Sequence, residues 1–237
     1  MPDNILFQEQ LSQVGKARIF FGHQSVGQNL LDGLKGLMDA SASQVNIVKL
    51  DKAQTLPPGP CLAHAFIGEN SNPASKIRAF SGFLDLDSAK QYDVALMKFC
   101  YLDITRDTDV RMLFQLYRDT IAAIRKRHPG LILIHATSPL TYENGFRTFV
   151  KKILRKRTAA DDNAKRAEYN GLLIREFEND PILDISRIES TRPDGGRLSG
   201  LFCGYTSDGG HLNETGSKLL AREFVRVASE ALQRRQP

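Results

Sequence analysis

Two short segments far apart in the chain carry side chains whose types and spacing suit acyl-transfer chemistry. The first is Phe21-Gly22-His23-Gln24-Ser25-Val26-Gly27. It follows an apolar run and opens a helical pattern, and a serine at that place has three readings. Its oxygen can cap the helix by accepting a first-turn N–H. It can be a nucleophile held at a sharp strand-to-helix turn, where the helix N-terminus and adjacent amides stabilise a developing oxyanion. It can belong to a phosphate cradle, although Gly22 and Gly27 match neither GxGxxG nor the Lys-Ser pair of a P-loop. The second segment is Ser207-Asp208-Gly209-Gly210-His211-Leu212-Asn213. An Asp three residues before a His brings its carboxylate to the ring N–H, fixes the tautomer, and leaves the other nitrogen to deprotonate a serine. An Asp-x-x-His alone is a weak signal. Paired with Ser25, it points to a nucleophile and its base.

The elements that must position these residues alternate along the chain. Ala17 to Phe21 reads as a first buried strand stopped by Gly22. Val26, Leu30, Leu31, Leu34, Leu37 and Met38 recur at helical spacing behind it. Further strands are expected at 45–50, 93–99, 131–134 and 182–185. Helices are expected at 75–84, from Val110 to the His128-Pro129-Gly130 stop, at 144–157, at 160–178 and at 214–232. The stretch from Leu56 to Pro73, with Pro57, Pro58, Gly59 and Pro60, reads as mostly loop. Five short apolar strands separated by helices predict an α/β fold: a parallel five-stranded sheet in a three-layer α/β/α arrangement. Ligands of such sheets bind beyond the carboxyl ends of the strands, where both segments fall.

At this point the chain resembles the SGNH (GDSL-type) hydrolases, a family of esterases, lipases and carbohydrate deacetylases with a flavodoxin-like sheet. Ser25 matches the family's nucleophile, Asp208 its orienting acid and His211 its base. Ser138-Pro139-Leu140 and the Arg-x-x-Tyr-Asn pattern beginning at Arg166 fit as well. Two departures stand out. The family's Gly-Asp-Ser is Gly22-His23-Gln24-Ser25 here, and its Gly-x-Asn-Asp falls on Cys100-Tyr101-Leu102-Asp103, so Leu102 replaces the usual oxyanion donor. The resemblance places the second-block glycine at Gly68. Asn70, two residues on, is either the missing side-chain donor or a turn residue bonding its own backbone. The expected oxyanion hole is therefore Ser25 and Gly68 with Asn70, and His23, Gln24 and Tyr101 are expected to touch substrate. The resemblance implies a serine esterase acting on a carbohydrate or small acyl ester. A non-catalytic carbohydrate-binding module on the same fold and an acyltransferase with the same dyad are the alternatives.

Composition bounds the rest. The chain has 237 residues, 41% hydrophobic and 25% charged, which excludes a wholly disordered protein and suits one domain over 1–237. No apolar run approaches the roughly 20 residues of a membrane span, and Met1-Pro2-Asp3-Asn4 lacks signal-peptide features, so a cytoplasmic location is expected. Cys61, Cys100 and Cys203 form no CxxC pair and read as small buried hydrophobes. His23, His64, His135 and His211 lie near strand ends but show no HExxH or carboxylate–His spacing, so neither metal nor other cofactor is expected. The net charge of +5 is mild. Its cluster at Lys151, Lys152, Arg155, Lys156 and Arg157 reads as a solvated helix face, without the interleaved aromatics of a nucleic-acid site.

Overall fold

The structure, a computed structural model, describes residues 2–39, 41–51, 58–86, 91–143 and 158–234. Six parallel strands form the sheet: β1 (Arg18–His23), β2 (Ile47–Lys49), β3 (Cys61–Phe66), β4 (Val94–Met97), β5 (Ile132–Ala136) and β6 (Ile182–Leu183), in the order β2-β3-β1-β4-β5-β6. The expected parallel α/β fold is present, with one strand more than the five expected. The extra strand is β3. Its sequence, Cys-Leu-Ala-His-Ala-Phe, contains no β-branched residue and follows three prolines, so neither propensity nor flanks mark it. It is a strand because it is buried between β1 and β2, where every backbone group must pair in the ladder.

Side chains alternate across the sheet. Ile19, Phe21, Leu62, Val94 and Leu96 face one core, closed by α1 (Pro2–Val14), α2 (Ser25–Met38) and α7 (Glu214–Arg234). Phe20, Ala63, Ala95 and Leu133 face the other, closed by α3 (Pro73–Leu84), α4 (Val110–Arg127) and α5 (Ala159–Glu176). The helix α1 lies before the first expected element. The expected strand at 182–185 is only two residues long, because the Asp184 side chain accepts the Arg187 N–H and starts α6 (Ile185–Ser190). The expected helix over 144–157, and with it the basic cluster, lies outside the described residues.

Caps set the lengths of the other helices. Asn72 accepts the Ser75 N–H at α3, Asp109 the Met112 N–H at α4, and Thr158 forms a reciprocal box with Asp161 at α5. One helix contact matters for the site. A Cβ on Gly33 would stand 2.1 Å from the Ser217 carbonyl oxygen, so α2 and α7 meet backbone to backbone. That contact fixes the helix beginning at Ser25 against the helix that follows His211. Cys61 and Cys100 are buried as expected, whereas Cys203, in a short 3-10 turn (Cys203–Tyr205), is exposed. Among the described residues no helix is long and apolar enough to cross a membrane.

Candidate active site

The carboxyl ends of β1, β3, β4 and β5 converge, and the loop before α7 folds over them. Ser25 is the first residue of α2, and the cap position belongs to Gln24, whose side chain does not cap the helix. The capping reading of Ser25 therefore gives way to another contact: its Oγ lies 3.1 Å from His211 Nε2. On the other side of the imidazole, Nδ1 lies 2.6 Å from Asp208 Oδ2. A carboxylate only accepts, so Nδ1 carries the proton and the Nε2 lone pair faces the serine hydroxyl.

Asp208 is itself held by the backbone. Its Oδ1 accepts the N–H groups of Gly210 and His211, both at 2.8 Å. These bonds, and then the one from the His211 ring, hold its carboxyl well below the usual carboxylate range. Asp208 therefore stays ionised, and desolvation costs its side chain, 57% exposed, little. Asn29 completes the link, accepting the Leu212 N–H at 3.2 Å on its Oδ1. It lies four residues after Ser25 on the same helix face, a spacing that signals such a role in the sequence.

His23 and Gln24 take structural places beside the serine. The expectation that His23 touches substrate does not fit a ring with no exposed surface. Its Nδ1–H donates to the Gln24 carbonyl at 2.7 Å, and its Nε2 accepts from His64 Nδ1 at 2.9 Å. Burial pushes the His23 imidazole down to about 3, with His64, Lys98 and Lys49 adding to the fall. Both rings are neutral, since burial also lowers His64, with Lys35 and Lys49 in the same sense. Gln24 spends its amide nitrogen on the carbonyls of Ile67 and Gly68, at 3.0 and 2.9 Å. It thereby clasps the turn after β1 to the turn after β3.

That second turn carries Gly68 and Asn70. Gly68 has φ +56, and a Cβ there would stand 2.5 Å from the Lys76 nitrogen, so only glycine fits. Asn70 is exposed, and its Oδ1 accepts from Lys76 Nζ at 2.9 Å. The residue that caps α3 is Asn72, not Asn70. Lys76 has no exposed surface and reaches Asp103 Oδ2 at 2.5 Å. A lone lysine in a helix reads as solvated, but this one stands four residues before Phe80 and eight before Leu84 on the buried stripe of α3. Leu102, where the resemblance sets an asparagine, is 42% exposed and its side chain offers no donor.

The far wall is built on Tyr101 and the loop after β5. The Tyr101 ring meets His211 edge to face, centroids 5.7 Å apart, and Tyr142 donates its N–H to the Gly209 carbonyl at 2.9 Å. The Arg-x-x-Tyr-Asn pattern anchors this wall from α5. Arg166 donates to the carbonyls of Tyr101 and Ile104, and Asn170 exchanges two bonds with the Ser138 backbone. His135 belongs elsewhere, stacked on Phe177 with its Nδ1 at 2.8 Å from the Tyr117 hydroxyl. The structure thus brings His23 and His64 together but not His135 or His211 with them. Among the described residues no cluster of three or more His, Cys, Asp or Glu is arranged to hold a metal.

No family model matches the sequence, and no curated protein matches it. Solved structures do. A carbohydrate esterase family 3 protein from Talaromyces cellulolyticus aligns with a TM-score of 0.55 at 13% identity, over 92% of this chain and 97% of that one. An acetyl esterase variant with bound acetate gives 0.54 at 13% identity, over 92% and 97%. A protein described as a GDSL-like lipase from Parabacteroides merdae gives 0.53 at 12% identity, over 90% and 95%. The likeness lies in the fold and spans nearly the whole chain. In architecture, the chain shares the fold of these esterase and GDSL-like lipase structures.

Proposed function

We propose that this chain is a divergent GDSL-type serine esterase whose single domain cleaves a carbohydrate or small acyl ester through an acyl-enzyme. The observation that carries the reading is the hydrogen-bonded line from Ser25 Oγ through His211 to Asp208, at 3.1 and 2.6 Å. Ser25 Oγ attacks the ester carbonyl while its proton passes to His211 Nε2. The imidazolium, stabilised by ionised Asp208, then gives that proton to the departing alkoxide as the C–O bond breaks. Water then attacks the acyl carbonyl as His211 takes its proton, and the imidazolium returns that proton to Ser25 Oγ as the acyl–serine bond breaks and the acid leaves.

The tetrahedral intermediate needs donors aimed at its oxygen. The Ser25 N–H is one of the first-turn amides that have no partner within a helix, and it brings the favourable end of the α2 dipole. The Gly68 N–H and the Asn70 side-chain amide are the other two donors in this reading. The geometry at Asn70 supports it: the oxygen is taken by Lys76, and the nitrogen makes no hydrogen bond among the described residues. Tyr101, against the His211 ring, borders the substrate.

Nitrophenyl esters of acetate and longer acids, given to the wild type and Ser25→Ala, test the proposal. Hydrolysis by the wild type alone is expected. Equal turnover by both proteins would remove Ser25 from the mechanism, and no turnover by either would favour a binding module. Acylated sugar appearing in place of free acid when sugars are added would identify a transferase.

A further inference from the structure

Lys76 and Asp103 form a fully buried ion pair, with no exposed surface on either side chain. Burying two charges is costly, and apolar residues of similar volume often serve packing as well or better. What distinguishes this pair is the company it keeps. An ammonium group only donates, so the amide atom of Asn70 that faces Lys76 must be the oxygen. The Asn70 nitrogen is then turned the other way, toward the exposed side of the turn. The charge also polarises the amide, and a polarised N–H is a stronger donor.

Asp103 holds the arrangement from below. Besides Lys76, its carboxylate accepts the N–H groups of Ser71, at 3.0 Å, and Cys100, at 2.6 Å. Ser71 sits at φ +65, a left-handed conformation that a serine adopts only when something holds it. The residue after Asn70, the residue before Tyr101 and the Lys76 ammonium therefore meet on one carboxylate. We infer that Lys76, held by Asp103, is a positioning residue that locks Asn70 with its amide hydrogens outward as an oxyanion donor. The Leu102 position lacks the family's amide, and this buried pair orients the one that replaces it. The inference rests on the esterase reading of Ser25 and His211.

The test has two arms. In kinetics, Lys76→Met combined with Asp103→Asn removes the pair without stranding a lone buried charge. We expect kcat to fall about tenfold to hundredfold with KM little changed, and no further fall when the same changes are made in an Asn70→Ala background. An equal fall in both backgrounds would mean that the pair only staples two loops, and would overturn the inference. The second arm needs no variant beyond Asn70→Ala, used to identify the Asn70 side-chain amide in a nitrogen–proton correlation spectrum. A boronic acid that adds to Ser25 mimics the tetrahedral anion, and it should shift that amide in the wild type. A Ser25 adduct that leaves the amide unmoved would overturn the inference while sparing the esterase reading. No adduct together with no ester hydrolysis would overturn the esterase reading, and the role of Lys76 with it.

Discussion

Two hydrogen-bonded pairs near Ser25, His211 with Asp208 and His23 with His64, have opposite surroundings. His211 is partly exposed, and its Nδ1–H is taken by a carboxylate at 2.6 Å. His23 has no exposed surface, and its neighbours are a second imidazole, aromatic rings and, farther off, lysines. Both rings carry their proton on Nδ1. In His211 this leaves a solvent-accessible lone pair facing the serine hydroxyl. In His23 the proton goes to the Gln24 carbonyl and the lone pair is spent on His64. A carboxylate behind the ring stabilises the imidazolium that base catalysis must form, whereas burial beside cations opposes it. In the proposed mechanism, environment, more than residue type, assigns one ring to chemistry and the other to the framework beneath Ser25.

The largest effects should fall on the exposed pair. Ser25→Ala and His211→Ala are each expected to lower kcat by about 10⁴-fold or more, with the double substitution little worse, because the two act as one unit. Multiplying losses in the double variant would break the assignment. Next in size is Asn70→Ala, expected to lower kcat by ~10²–10³ with KM little changed and folding intact. Normal kcat in that protein would mean that two backbone donors suffice.

The smallest effect belongs to the buried pair, and it is on stability. Unfolded, His23 takes up its proton near 6.5; folded, it resists until about 3. Between those values the unfolded chain binds more protons, so stability is fully present above pH 6.5 and falls as the pH drops toward 3. One proton accounts for at most about 1.4 kcal/mol per pH unit. His64 acts in the same direction. The depressed carboxyl of Asp208 loses its contribution only below its ordinary value of 3.8, a lower window. Denaturant titrations from pH 7 to 4 should show this acid slope, and His23→Asn, which keeps a donor for the Gln24 carbonyl, should flatten it. An unchanged slope would contradict a neutral buried His23.

Most of the sheet was legible because buried strands such as 93–99 and helices such as α4 follow simple apolar periods. What escaped did so for physical reasons. β3 lacks β-branched residues and owes its form to its place between two strands. Asp184 reads as part of a strand until its capping bond is seen. At the site, the meeting of Ser25, Asp208 and His211 was legible because a local Asp-x-x-His spacing and a strand-to-helix turn are written in consecutive residues. His23 was misplaced at the substrate because alternation along β1 turns it inward, on the face of Ile19 and Phe21. Lys76 was overlooked because a lone lysine in a helix reads as solvated, and only the fold shows it meeting Asp103 and Asn70.

In the proposed mechanism His211, and not the buried pair, activates Ser25. A fluorophosphonate probe followed by intact mass and peptide mapping tests it most directly. One adduct per chain is expected, on Ser25, formed rapidly by the wild type, not formed by Ser25→Ala, and slowed by at least about a hundredfold in His211→Ala. Equal labelling rates in the wild type and His211→Ala, or an adduct on another residue, would contradict it.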